Sequence, residues 1–510
     1  MQLQELLKYV EPLHIAGDFY GDVSDVCYDS RHVKDNGLFV AIPGLKVDGH
    51  DYIEEAINRG AKYIVHEKKY LPPPGVTAVQ VKDCRRTLGI LGKNFYGNPS
   101  SCLCLVGVTG TNGKTTVTYL LESILKAAGF RVGVLGTVNY RFNNKVLPAP
   151  NTTPESCDMQ KILRTMLDEG ITHVIAEISS HAADLKRIDD CTFDMGIFTN
   201  LTQDHLDYHR TMENYFQAKK RLFNEVIPAG RKKQKFMIIN GDDFWGQRLM
   251  KEVNNDVSSL TYGLENSCDM IADTFMLSLE KTKAVLLTGN DHFAISSHLI
   301  GKFNLYNIMA ACLASVALGI PIKFIRTGIA KLKKVPGRLE RVSKSGQPGV
   351  FVDYAHTDDA IKRALQSLSA FKKRKIITVF GCGGDRDRGK RPLMGKAAVS
   401  LSDITIVTSD NPRTEKPLGI IEEIERGIRE MSLEKFPPET LAQNKVGKGY
   451  TIIPDRKEAI ITAVSAADIL DIVFIAGKGH ENYQIIGETK IPFDDRKIAK
   501  AALQKRNRGK

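Results

Sequence analysis

One segment constrains the fold more than any other. The apolar run 103–108 leads into Gly110-Thr111-Asn112-Gly113-Lys114-Thr115-Thr116, and behind it Leu120, Leu121, Ile124, Leu125 and Ala128 recur on one helical face until Gly129. Strand, glycine-rich turn and helix in that order make a phosphate cradle. The glycines let backbone amides converge on phosphate oxygens at the positive end of a helix. Lys114 reaches the terminal phosphates, and Thr115 offers a hydroxyl to Mg²⁺. Val108 stands where a strict phosphate loop has its first glycine, so the loop is a variant.

A chain of 510 residues is long enough for about three domains. Gly97-Asn98-Pro99-Ser100-Ser101 and Val335-Pro336-Gly337 punctuate it, predicting units at 1–100, 101–335 and 336–510. The first reads as a small α/β unit: strand 38–42, helix 52–58 stopped by Gly60, strand 61–65. The second is the phosphate-loop unit with a mostly parallel sheet; its part 236–300 holds short β-rich runs, such as 283–287, without a firm assignment. In the third, apolar runs at 375–380, 403–408 and 471–475 each end in a polar or glycine-rich loop, as in a Rossmann-like sheet that presents ligand loops at its carboxyl ends.

Composition removes other classes. Hydrophobic content of 42% with 25% charged residues is that of a soluble globular protein, and no run of ~18 apolar residues offers a membrane span. The amino terminus is acidic where a signal peptide needs a basic stretch, so a cytoplasmic location is expected. Nine cysteines are an odd number without a framework; Cys102 and Cys104 read as reduced, packed thiols. The net charge of +12 points to anionic partners, but seven of those charges follow Asp495, which predicts a basic tail. The clusters 231–233, 372–375 and 505–510 lack interleaved aromatics and read as solvated surface, against nucleic acid.

The run Val-Thr-Gly-Thr-Asn-Gly-Lys-Thr-Thr resembles the ATP loop of the Mur ligases, amide-forming enzymes of peptidoglycan precursor synthesis. Ala176-Glu177-Ile178-Ser179-Ser180-His181, the stretch 199–209 and Tyr215-Phe216-Gln217-Ala218-Lys219 are similar to further signatures of that family. The resemblance implies ATP held by Gly110, Thr111, Asn112, Gly113, Lys114, Thr115 and Thr116, with Asn304 near the adenine and Arg338 near the phosphates. It implies Thr115 and Glu177 on one Mg²⁺ and His205 on a second, with Lys114, Glu177, His205 and Lys219 in the catalytic machinery. The family carries a carbamylated lysine at the place of Lys219. A free ammonium would be repelled by metal, whereas a carbamate supplies the hard oxygen that Mg²⁺ prefers.

Such an enzyme phosphorylates a carboxylate with ATP, and an amine displaces the phosphate. Asp410-Asn411-Pro412-Arg413 follows the apolar run 403–408 and matches the family's signature for meso-diaminopimelate; lysine-adding members lack this arginine. The physical reason is direct: diaminopimelate is lysine plus a distal carboxylate, which a guanidinium binds bidentately. Arg386, Gly477 and Glu481 match further diaminopimelate positions. Tyr28, Ser30, Leu45, Lys46 and Val47 resemble residues at the UDP end of the acceptor, UDP-N-acetylmuramoyl-L-alanyl-D-glutamate. Asn151, Thr152, Thr153, Ser179, Leu185 and Arg187 resemble those at its peptide end. Leu185 stands where some members have Gln, and Asp358 replaces the usual Pro. The expectation is a monomer acting on small molecules, with no nucleic acid and no membrane insertion. A lysine-adding relative, a folylpolyglutamate synthetase-like ligase and a non-catalytic nucleotide binder are the alternatives. Arg413 argues against the first, the D-N-P-R loop against the second, and the full set Lys114, Glu177, His205 and Lys219 against the third.

Overall fold

The computed structural model describes residues 1–44, 47–253, 256–265, 267–289, 291–442 and 447–508. Among these residues the strands gather into sheets of five, eleven and seven, with a separate two-stranded hairpin. All three large sheets are mostly parallel and carry helices, the α/β class expected.

The five-stranded sheet runs in the order His14–Ala16, Thr77–Gln80, Ala61–His66, Gly37–Val40, Val26–Cys27. Leu38, Val40, Val65 and Val79 bury one face against Leu88 and Leu91 of the helix Cys84–Phe95. The strands anticipated at 38–42 and 61–65 and the helix at 52–58 are Gly37–Val40, Ala61–His66 and Ile53–Asn58.

In the eleven-stranded sheet, Cys104–Thr109 lies between His173–Glu177 and Met195–Phe198, parallel to both. The helix Lys114–Ala127 turns Val117, Leu120, Leu121, Ile124 and Leu125 inward, an i, i+3, i+4, i+7, i+8 stripe with every member fully buried. Helix Ile322–Lys331 approaches it so closely at Gly328 that a Cβ there would sit 2.4 Å from Ile124 Cα. The stretch 236–300 extends the sheet: Phe236–Asn240 and Ser258–Gly263 continue it in parallel, and Met270–Leu277, Thr282–Thr288 and Asp291–Ser297 close its edge as an antiparallel meander.

The seven-stranded sheet has the order Glu340–Arg341, Gly349–Asp353, Ile472–Ala476, Ile376–Phe380, Ile404–Val407, Gly449–Ile452, Glu434–Lys435. All but its first pair are parallel, so Asp353, Phe380, Val407 and Ala476 end on one side. The carboxyl terminus differs from the solvated tail expected. Asp495–Arg508 is a helix whose Ala499, Ala502 and Leu503 pack on Ala459, Ile460 and Ala463. Apolar residues at i, i+3 and i+4 make a narrow buried stripe that the surrounding cations conceal in a charge count. No two cysteines pair, but Cys102 is exposed and Cys104 half-buried, so packing does not account for Cys102. Among the described residues no helix is long and apolar enough to cross a membrane.

Candidate active site

Parallel register brings three segments of distant sequence together. Thr109 pairs in register with Phe198 and Val108 with Glu177, so the phosphate loop, Glu177 and the segment from Thr199 meet at the carboxyl ends of three central strands. Gly113 has φ +90°, and a Cβ there would lie 2.3 Å from Asn307 Oδ1; only glycine fits. Asn112 N–H donates to Asn200 Oδ1 (3.0 Å) and Thr199 Oγ1 donates to Asn112 O (2.6 Å), fixing the loop. Lys114 Nζ curls over it, donating to Gly110 O (2.8 Å) and Thr111 O (2.9 Å).

Thr115 and Glu177 are both buried, and Thr115 Oγ1 donates to Glu177 Oε2 across 3.1 Å. Thr137 donates to Glu177 through Oγ1 (2.9 Å) and N–H (3.2 Å). This is a pair of hard oxygen donors, the kind that Mg²⁺ takes. His205 sits with φ +54° at the start of helix Leu206–His209, its ring 4.9 Å from that of His181 and 3.5 Å from the Asp204 carboxylate. Burial brings its imidazole down to about 4, which leaves a neutral ring with a free lone pair. Lys219 lies just behind the loop, fully buried, donating to Gly110 O at 3.0 Å and lying 4.8 Å over the Tyr215 ring. Burial, and then repulsion from Lys114, holds its amine well below the usual lysine range.

A cavity of about 450 Å³ opens between the eleven- and seven-stranded sheets. Lys114, Thr115, Glu177 and His205 line one wall, and Tyr354, His356 and Arg363 the other. Arg338 spans it: Nη2 donates to Thr115 Oγ1 (3.2 Å) and the guanidinium covers the Tyr354 ring at 4.7 Å. Asn304 does not itself line this cavity. Its buried amide donates to Ile300 O (2.8 Å) and accepts from Asn307 (3.1 Å), and Asn307, one turn on, faces the cavity instead. Two residues that the sequence does not single out tie down loop residues of the cavity wall, Asn112 and Asp204. Asp359 Oδ2 accepts from Thr202 Oγ1 (2.9 Å) and Asn112 Nδ2 (3.4 Å), and Lys390 Nζ pairs with Asp204 at 2.7 Å. Their partners lie 157 to 247 residues away in sequence, beyond any local pattern. Asp358 opens the helix Asp358–Ser369 behind the capping hydroxyl of Thr357, where an acid in the first turn suits the helix dipole as well as proline suits the backbone.

A second cluster forms at the ends of the parallel strands of the seven-stranded sheet. Asp410 and Asn411 are buried; Asn411 Nδ2 donates to Glu481 Oε2 (3.0 Å), and a Cβ on Gly477 (φ +115°) would stand 2.4 Å from Asp410 Oδ2. Half-buried Arg413 has φ +52° and donates from Nη1 to Gly384 O at 2.6 Å. Pro412 is buried beside it, and Arg386, on the neighbouring loop, is exposed. Lys478, absent from the sequence-based set, is fully buried here and donates to Asn411 Oδ1 at 2.8 Å.

The acceptor candidates divide. Thr153 Oγ1 donates to Glu177 O (2.8 Å) and accepts from Ser179 N–H (3.0 Å), Thr152 Oγ1 lies 3.1 Å from Thr137 Oγ1, and Arg187 pairs with Glu155 at 3.0 Å, all beside the cavity. Asn151 is exposed, and half-buried Leu185 follows the helix Ser180–Asp184 with no side-chain group to donate. In the five-stranded unit, Tyr28 reaches across to Asp158 (2.5 Å), Ser30 is buried against Glu55 (2.9 Å), and Val47 is exposed; Leu45 and Lys46 lie outside the described residues. A larger groove, about 810 Å³, faces strands Met270–Leu277 to Asp291–Ser297, but neither a carboxylate nor a phosphate loop lines it.

Comparison with known proteins finds three family models in succession along the chain. Residues 22–96 match the model "Mur ligase family, catalytic domain", 108–315 "Mur ligase middle domain", and 337–479 "Mur ligase, glutamate ligase domain". The UDP-N-acetylmuramoyl-L-alanyl-D-glutamate–2,6-diaminopimelate ligase of Geobacter sulfurreducens is 46% identical over 510 residues, covering 100% of both chains. That of Clostridium tetani is 40% identical over 509 residues, covering 99% of each. A solved structure of a ligase of the same name superposes with TM-score 0.70 at 31% identity over 99% of each chain. The folylpolyglutamate synthase of Mycobacterium tuberculosis shares the fold at 16% identity and TM-score 0.61, covering 77% of this chain and 92% of its own. With full-length relatives at this identity and three family domains in succession, the chain belongs to the Mur ligase family.

Proposed function

We propose that this chain is an ATP-dependent, ADP-forming ligase that joins UDP-N-acetylmuramoyl-L-alanyl-D-glutamate to meso-diaminopimelate, a step of peptidoglycan precursor synthesis. The observation that carries the choice of amine is the Asp410–Arg413 loop, with Arg413 at its rim and Glu481 beside Asn411. A guanidinium and a carboxylate at the carboxyl ends of one sheet complement the distal carboxylate and ammonium that diaminopimelate offers. Lysine would leave Arg413 unpaired. The names of full-length relatives support the same reading.

A carboxylate is a poor electrophile, so ATP converts it to an acyl phosphate, and the amine then attacks to leave an amide and phosphate. The phosphate loop grips the nucleotide through Gly110, Thr111, Asn112, Gly113 and Thr116, and Lys114 turns from the loop carbonyls to the transferring phosphoryl group. Arg338 stabilises charge from the opposite wall, and the acceptor lies along Thr152, Thr153, Ser179 and Arg187 toward the first unit. Thr115, Glu177 and His205 would hold Mg²⁺; the hydroxyl and carboxylate oxygens are the hard donors it takes, and the neutral ring of His205 adds a lone pair without a repelling charge. The bound metal supplies charge neutralisation on the phosphates.

Lys219 completes the set as a carbamate, R–NH₂ + CO₂ → R–NH–COO⁻ + H⁺. The reaction needs a neutral amine, and burial with a neighbouring Lys114 favours that form. The reading carries with it three units, 1–100, 101–335 and 336–510, mainly for acceptor, ATP and amine, in a cytoplasmic monomer. ADP release is measured with the acceptor and diaminopimelate, lysine or no amine. Diaminopimelate-dependent release is expected; dependence on lysine alone overturns the specificity, and no turnover with any amine favours a nucleotide binder.

A further inference from the structure

Beneath the amino-acid loop lies a chain of buried charge whose anchor is in the carboxyl-terminal helix. Arg456, at the start of helix Arg456–Ala466, and Asp495, at the start of helix Asp495–Arg508, are both 0% exposed. They pair bidentately, Nε to Oδ1 at 2.9 Å and Nη2 to Oδ2 at 2.7 Å. The same guanidinium donates to Ala476 O (2.9 Å) and Ser409 O (3.4 Å) and stands 3.9 Å from the Asp410 carboxylate. Ala476 ends, and Ser409 follows, one of the two strands that flank Ile376–Phe380, so one planar group bridges the chain on either side of a central strand. From Asp410 the chain runs on: Lys478 Nζ lies 3.7 Å from Asp410 Oδ1 and 3.0 Å from Glu481 Oε2. These five side chains carry two positive and three negative charges, and Glu481 is the member nearest the surface.

We propose that the Arg456–Asp495 pair is the positioning device of the amine site, setting the Asp410–Arg413 loop and, through Lys478, Glu481. This rests on assigning that loop to the incoming amino acid. Asp495 makes the guanidinium's orientation unique, because a fork held by two carboxylate oxygens has one plane. That plane aims its remaining N–H groups at the two strand-end carbonyls. Arg456 and Asp495 touch no reactant, so they act on how the amine binds and leave carboxylate activation by ATP alone.

The test separates the two half-reactions in the intact chain. Asp495→Asn keeps the shape and removes the charge, and Arg456→Lys keeps the charge and removes the fork. Steady-state kinetics give KM for each substrate, and hydroxylamine in place of the amine traps the acyl phosphate as a hydroxamate. The KM of the amine should rise roughly tenfold in both variants, with hydroxamate formation and the KM values of ATP and acceptor within about twofold. An unchanged amine KM, or an equal loss in hydroxamate formation, overturns the proposal. So does failure of both variants to fold, since the pair would then hold the sheet rather than the loop. The comparison uses whichever amine the unsubstituted chain accepts. Acceptance of a different amine therefore refutes the diaminopimelate assignment while the pair's role is still measured, and acceptance of none sinks both.

Discussion

Arg413→Met is the substitution that most directly probes amine selection. The guanidinium has five N–H donors, and one is engaged by Gly384 O at 2.6 Å, which leaves a two-donor edge for a carboxylate. Each charge-assisted hydrogen bond contributes about 1.5–3 kcal/mol, and Arg413 is half-buried, so the lower end applies and the pair amounts to about 3 kcal/mol. At about 1.4 kcal/mol per decade, kcat/KM for diaminopimelate should fall roughly 10²-fold. Lysine has no distal carboxylate, so its kcat/KM should stay within about threefold of the unsubstituted value. Selectivity should therefore collapse without a matching loss of fold. Methionine at φ +52° has the same Cβ clash as arginine, so the backbone cost is unchanged. ADP release at varied amine concentration gives both constants, and a thermal melt checks the fold. If diaminopimelate and lysine fell in parallel, or if the ratio held, Arg413 would not be reading the carboxylate and the argument from the loop would fail.

Other expectations follow from buried groups. Lys219→Ala should abolish turnover, and a short-chain carboxylate such as acetate should restore part of it by replacing the carbamate oxygens; undiminished activity without rescue would sink the carbamate. His209 is buried against Ser180 Oγ (2.9 Å) with its imidazole brought down to about 4 by burial and then by His181. Its unfolded value is ~6.5, so the unfolded chain binds the extra proton and stability falls as pH drops from about 6.5 toward 4. The loss from this residue is about 2 kcal/mol at pH 5, and the gap between melts at pH 7 and pH 5 should narrow in His209→Asn. Gly328→Ala places a Cβ 2.4 Å from Ile124 Cα and must part the two helices behind the phosphate loop. A net loss of about 1–3 kcal/mol in denaturant melts and a raised KM for ATP are expected, and a neutral or stabilised variant would refute that packing.

The chain's local order announces the parts that depend on short-range chemistry. Strand, glycine turn and striped helix stand in line at 103–129, and the structure has them as Cys104–Thr109, the loop and Lys114–Ala127, because both periodicities are set by nearest neighbours. The place of the D-N-P-R loop is legible for the same reason, since it follows an apolar strand, whereas its link to an amine rests on the family resemblance. What depends on register or on pairing across the fold is not written locally. Thr109, Glu177 and Phe198 become neighbours only when three parallel strands align. Asn307 rather than Asn304 faces the cavity because of how its helix is rotated in the core, which one residue's identity does not reveal. Asp359, Lys390 and Lys478 find their partners across the folded chain. The last fifteen residues show the limit most plainly. Sequence alone determines their charge, but only tertiary packing decides that 495–508 form a helix whose first residue, Asp495, is buried against Arg456, because burying a carboxylate requires a partner that the chain supplies 39 residues away.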